Sequence, residues 1–159
     1  MNANPPPSLV NRLAGLYCLV AGLLAKLEPL LLLGFRLYIA RVFFLSGLTK
    51  VRDWSSTVAL FTDEYHVPLL SPAVAAGLGA ATELSMPVLL VLGLASRLAA
   101  GWLFVFNIVA VVSYYETLTQ TGGVNDHILW GTMLAVLTIC GPGRIAVDTL
   151  LERRFAPGS

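Results

Sequence analysis

Charge, cysteine and histidine are all scarce in this chain, and each shortage closes off a class of function. Of 159 residues, ten are Lys or Arg and nine are Asp or Glu, for a formal net charge of +1. No basic run is available to neutralise a phosphate backbone, which excludes nucleic acid as a partner. The two cysteines, Cys18 and Cys140, form no CxxC pair, so neither a disulfide framework nor a zinc site is encoded. A haem held between helices wants two inward-facing histidines, but His66 falls in a loop beside Tyr65 and Pro68, leaving His127 alone. Met86 and Met133 are isolated, so copper lacks a cluster of soft ligands. No metal site is expected. There is no catalytic triad, P-loop or HExxH, no repeat of fixed period, and no low-complexity tract beyond Pro5-Pro6-Pro7.

What the chain has is apolar length. Hydrophobic residues make up 57% of it and the mean hydropathy is +0.78, too apolar for a soluble globule of this size, so the chain is read as an integral membrane protein in contact with the lipid bilayer. A hydrocarbon core of about 30 Å needs roughly 20 helical residues. Four stretches qualify: 30–51, entered by Pro29, then 72–94, 98–115 and 124–143. Short connections between them predict an all-α, up-down bundle of four transmembrane helices over 29–143. Residues 9–25 are apolar but fit a secretory signal poorly, since Leu23 would occupy the minus-three position of a cleavage after Ala25 and Arg12 comes late. Leu9, Leu13, Leu16, Val20, Leu23 and Leu27 instead form one stripe, which predicts an interfacial amphipathic helix after a disordered start, both within 1–28. Gly141-Pro142-Gly143 ends the last span, and 144–159 reads as an amphipathic tail with a short surface helix.

Counting cations near the helix ends sets the topology. One side carries Arg12, Lys26, Arg97, Arg144, Arg153 and Arg154; the other has Lys50 and Arg52 among Asp53, Asp63, Glu64, Glu116 and Asp126. Both termini are therefore expected to be cytoplasmic. On the opposite face lie the connection 52–71, with a short helix at 56–61, and 116–123, a mobile loop ended by glycine.

Ions inside the membrane are functional candidates by default, because each costs roughly 2.5 to 3.5 kcal/mol at the bilayer centre. These are Arg36, Arg41 and Glu83. Arg36, Ala40, Phe43, Gly47 and Lys50 share one stripe with small residues where a neighbour can approach, and Glu83 shares one with Ala76, Gly79 and Ala80. Both stripes should face the bundle. Antiparallel alignment sets Glu83 near the depth of residue 40, predicting an Arg36–Glu83 ion pair that either locks two helices together or forms a polar site. At roughly 100° per residue Arg41 lies about 140° from Arg36, so it snorkels, takes Glu83 instead, or faces another subunit. Asn107, with Val111 and Tyr114, and His127, with Gly131, complete an interior polar line. Lys50, Asp53, Trp54, Tyr114, Glu116, Asp126, His127 and Trp130 are expected to converge as a ligand mouth or as interfacial anchors. His127 is the side chain there able to exchange protons near neutral pH.

The run Arg36-Leu-Tyr-Ile-Ala-Arg-Val-Phe-Phe-Leu-Ser-Gly-Leu-Thr-Lys50, Glu83 in Ala-Thr-Glu-Leu, and Gly93-Leu-Ala-Ser-Arg97 together resemble the DoxX family of small bacterial inner-membrane proteins. Arg36, Gly47, Lys50 and Glu83 match its pattern; Arg41 and Pro87 depart from it. The resemblance implies the bacterial inner membrane and redox work, in quinone-linked sulfur oxidation and in oxidoreductase complexes that answer oxidative stress. Residues 46–70 look like a narrower branch often encoded near small peptide-modifying and metal-stress proteins, which adds a stress response as a setting. On this reading the cofactor is a quinone near Arg36, Lys50, Asn107 and Tyr114, with Glu83 or His127 carrying the proton. The chain encodes no electron donor, so it is expected to be an accessory subunit beside a partner redox protein rather than an enzyme alone, or a homo-oligomer through the Arg41 face. The alternative is a small-solute carrier or a structural membrane scaffold.

Overall fold

The computed structural model describes residues 9–65, 67 and 69–155, and every regular element among them is helical. The proline-rich start and His66 lie outside the described residues. Four helices, α2 (Glu28–Arg52), α4 (Pro72–Leu92), α5 (Ser96–Ser113) and α7 (Gly123–Cys140), form the bundle; α1 (Leu9–Ala25), α3 (Trp54–Asp63), α6 (Tyr115–Thr121) and α8 (Val147–Phe155) flank it. The α1–α2 stretch, α4, α5 and α7 are each long and apolar enough to cross a membrane. Around the bundle α2 packs on α4, α4 on α5, α5 on α7 and α7 back on α2. Leu32, Ile39, Phe43, Leu90, Leu103, Leu134 and Leu137 fill the core between them.

Local chemistry sets the breaks. Pro29 has no N–H for the carbonyl of Ala25, so the helix yields just before it, and Lys26 and Leu27 donate instead to Leu23 (3.1 Å) and Leu24 (2.9 Å) in a tighter turn. No residue of α1 is buried. Asp53 interrupts α2 and caps α3, accepting from the Ser56 amide (3.0 Å) and hydroxyl (2.6 Å). α4 ends at Gly93 (φ +71°), whose N–H reaches the Leu90 carbonyl (3.1 Å) while that of Leu94 reaches Leu89 (3.0 Å). A side chain at residue 93 would also strike Arg36 and Ala146, each 2.6 Å from the Cβ position.

Two expectations are corrected. The connection 116–123 is helical over most of its length: α6 buries Leu118 and closes on Gly122 in the left-handed conformation. The register of α2 on α4 also differs by about two turns. Gly47, not residue 40, lies opposite Glu83, since a Cβ there would stand 3.0 Å from that of Glu83 and 2.9 Å from Leu84 Cγ. α4 overshoots the end of α2, and α3 folds across the overhang, burying Phe61 against Ala75 and Ala76.

Candidate functional site

Glu83 sits halfway along α4, and the α2–α4 register brings Lys50 rather than Arg36 to it. Lys50 Nζ donates to Glu83 Oε2 (2.6 Å) and Oε1 (2.9 Å), and to Ser46 Oγ (2.9 Å) one turn earlier on α2. Ser46 in turn donates to Glu83 Oε1 (3.1 Å). The ion pair is nearly dry, with side-chain exposures of 14% for Lys50 and 7% for Glu83. All three ammonium donors are thus engaged inside the triad, while the carboxylate keeps acceptor capacity.

The pair closes the inner end of a cleft of about 250 Å³ that runs outward between α4 and α5. Leu78, Trp102, Phe106 and Val109 make its apolar walls, and Phe61, Tyr65 and Leu70 cover its outer end. Leu78, Trp102 and Val109 are also among the large exposed hydrophobics, so the cleft opens sideways toward lipid. Besides the Tyr65 phenol, two aliphatic hydroxyls line it. Thr82 is engaged by the Trp102 indole N–H (3.2 Å); Ser113 is 5% exposed and its buried Oγ has no partner among the described residues.

At the outer end Tyr65 stacks between Phe61 (centroids 4.7 Å apart) and Tyr114 (4.3 Å, planes 6° apart). Tyr114 Oη donates to Glu64 Oε2 at 2.7 Å. Burial, and then the charges of Tyr114, Glu83 and Glu64, push the Tyr65 phenol up to about 12. The hydrogen bond to Glu64, followed by burial, raises Tyr114. Hydrogen bonds from Ser56 and Ser55 hold Asp53 below the usual carboxylate range.

The other expected site residues lie elsewhere. Arg36 is 1% exposed and pairs with no carboxylate among the described residues: Nε donates to the Leu90 carbonyl (2.7 Å), Nη2 to Val91 (2.8 Å), and Nη1 to Ile145 (2.6 Å) and Pro142 (3.2 Å). It fastens the C-terminal end of α4 to the chain leaving α7. The expected Arg36–Glu83 pair does not form, because the register separates the two by about 16 Å along α2. Asn107 and His127 bond to each other on a different side of α5, in a groove between α5 and α7. Arg41 is exposed on the outer face of α2, against Leu37, Phe44 and Pro87, and has no partner among the described residues; it does not take Glu83. The single interior polar line expected from the sequence is therefore three separate places.

Ser46, Thr82, Ser113 and Tyr65 were not singled out in the sequence. Ser46 carried a signal, since it stands one turn before Lys50 on the same stripe. Ser113 and Tyr65 carried none, because a hydroxyl left without a partner and a ring slid over a cleft are products of tertiary packing. Among the described residues no three His, Cys, Asp or Glu side chains group closely enough to hold a metal ion.

In comparison with known proteins, a model of one family, DoxX, matches residues 31–116. The match takes in α3, α4, α5 and nearly all of α2, and stops before α7. No curated protein and no solved structure matches the chain.

Proposed function

The chain belongs to the DoxX family, and on that premise we propose that it is a membrane subunit of a quinone-linked oxidoreductase system, holding the quinone ring in the α4–α5 cleft. The observation that carries this reading is a dry Lys50–Glu83 pair at the closed end of a lipid-facing apolar cleft, which combines a flat hydrophobic slot with a charged, proton-bearing terminus. Reducing a quinone to the quinol adds two electrons and two protons. The electrons come from a partner redox protein. A quinone held there would accept at the ring oxygen facing the pair from Lys50, and Glu83, a carboxylate while paired, would relay the proton of the Lys50 ammonium to that oxygen, the second proton entering from the outer end of the cleft. Ser113 would bond the polar substituents at the outer end of the ring, and Tyr65, stacked on Tyr114, would cover the cleft. Arg36 has no role in this chemistry, since it lies about 16 Å from Glu83 along α2 and commits four of its five donors to backbone carbonyls.

The host membrane is the bacterial inner membrane with both termini cytoplasmic, a placement supported by the cations Arg97, Arg144, Arg153 and Arg154 toward the end of the bundle where α2 begins and α7 ends. Arg41, without a partner among the described residues, marks the side on which a partner or a second copy meets the bundle. A second reading, a structural scaffold, is favoured by the closed shell of hydrogen bonds around the Lys50 ammonium.

Solvent extraction of protein purified in native nanodiscs, with mass spectrometry for quinone per chain, separates the two. The redox reading expects near-stoichiometric quinone in the wild type and lipid background in Ala110→Phe, which puts a ring into the cleft while keeping both members of the ion pair. No quinone above lipid background in the wild type would leave the scaffold.

A further inference from the structure

The Asn107–His127 pair fixes a chemical property of the groove between α5 and α7. Asn107 Nδ2 donates to the backbone carbonyl of His127 at 3.0 Å. A carbonyl can only accept, so this bond identifies the nitrogen of the Asn107 amide and leaves Oδ1 facing the imidazole. Oδ1 lies 2.8 Å from His127 Nδ1. An amide oxygen also only accepts, so Nδ1 must carry a hydrogen, and in the neutral ring Nε2 is then a bare lone pair. The arrangement is held from several sides. Asn107 is 4% exposed, a Cβ on Gly131 would stand 3.2 Å from its Nδ2, and the Trp130 ring meets the imidazole edge-on at 4.8 Å.

Nε2 has no partner among the described residues, and His127 lines a groove of about 460 Å³ whose other walls include Phe104, Ile108, Val112 and Ile128. Ile108, Val112 and Ile128 are 47%, 68% and 62% exposed, so the groove opens outward from the bundle. An acceptor of fixed polarity in an apolar groove selects its ligand by hydrogen-bond sign: a hydroxyl donor satisfies Nε2, whereas a carbonyl sets two lone pairs against each other. His127 lies beyond the residues that the family model matches.

We infer that the α5–α7 groove is a second binding site, distinct from the α4–α5 cleft, that takes from the bilayer an amphiphile presenting a neutral hydroxyl to His127 Nε2. Two sources carry that chemistry, the hydroxyl of a hydroquinone ring and the free hydroxyl of a glycerolipid. The site does not depend on a quinone occupying the other cleft.

The test is ¹⁵N NMR of histidine-labelled full-length protein in nanodiscs, titrated in parallel with decylubiquinol, decylubiquinone and monooleoylglycerol. Before any addition, the neutral His127 ring should show its proton on Nδ1. Decylubiquinol or monooleoylglycerol should then shift the Nε2 resonance saturably, decylubiquinone should not, and the responding hydroxyl compound identifies the source. In Asn107→Leu the constraint is gone and Nε2–H becomes accessible, so affinity for the hydroxyl ligand should fall about tenfold while decylubiquinone begins to shift Nε2. Asn107→Asp, whose carboxylate still accepts from Nδ1 but also favours the imidazolium, should keep the wild-type tautomer and preference at pH values where the ring is neutral. A proton found on Nε2 in the wild type would overturn the inference whatever the variants do. So would an Nε2 resonance that neither hydroxyl compound moves, or one that decylubiquinone moves equally.

Discussion

The two ends of the bundle use charge in opposite ways. Where α2 begins and α7 ends, Arg36 spends its guanidinium on four backbone carbonyls and Arg97 caps the last turn of α7 through the carbonyls of Thr138, Ile139 and Cys140. There too Asp148 accepts from the Ala95 and Ser96 amides (2.7 and 2.8 Å), tying α8 to the start of α5. These groups complete the unsatisfied carbonyls and amides at helix ends, where the macrodipole also favours the sign of charge that each carries. Toward the opposite end, charge and hydroxyls retain unused capacity: Glu83 keeps a free lone pair beside a cleft, Ser113 has no partner among the described residues, and His127 lines a groove. A buried ion whose bonds are all made to backbone is a fastener; one that lines open space can still meet a ligand.

Substitutions on each side should break the molecule differently. The largest effect is expected for Arg36→Met, which orphans four carbonyls at once, that of Leu90 buried and the other three part-buried, and should cost about 4 kcal/mol in reversible unfolding in detergent. Next comes Lys50→Met, which leaves Glu83 buried without its counter-charge and should cost about 3 kcal/mol, whereas Lys50→Met with Glu83→Leu should recover to within about 1 kcal/mol of wild type. That double variant sharpens the contrast, because it should fold and still bind no quinone. Gly93→Ala should cost about 2 kcal/mol by forcing a side chain into the left-handed region and against Arg36.

Smaller effects are read by pH. The Tyr65 phenol is raised from 10.0 to about 12 in the folded chain. Its burial therefore contributes stability in full below pH 10 that is lost as pH climbs toward 12. A tyrosinate absorbance titration should show this late-ionising group, and Tyr65→Phe should remove it. The smallest effect belongs to Asp53, whose lowered value means that its capping of α3 is present above pH 3.8 and lost only as pH falls through the lower folded value. Hydrogen exchange of the Ser56 amide should accelerate over that acid range and in Asp53→Ala.

The helices were legible because hydropathy, Pro29 and Gly141 mark them directly, and the inward faces of Arg36, Glu83 and Asn107 follow from helical periodicity; the stop at Gly93 was read through, the span being carried to residue 94. Which charge meets which was not legible. That depends on the offset of α2 against α4, and the offset is set by α3 packing on the end of α4, a contact between Phe61 and Ala75 and Ala76 that no local pattern announces. For the same reason Tyr114 lost its expected place: it lies just past α5 and turns to Tyr65 and Glu64 instead of joining Asn107. Asn107 and His127 were each readable as interior polar residues, but their mutual bond, which decides the free nitrogen, required the α5–α7 packing.

The most direct test of the α4–α5 cleft is to photolabel the protein in native nanodiscs with an azido-quinone and map the modified residues by peptide mass spectrometry. The account expects label concentrated on Tyr65, Leu78 and Trp102 through Ser113, displaced by excess unlabelled quinone and lost in Ala110→Phe. Label spread evenly over lipid-facing positions such as Leu98 and Ile139, and unaffected by competitor, would contradict it.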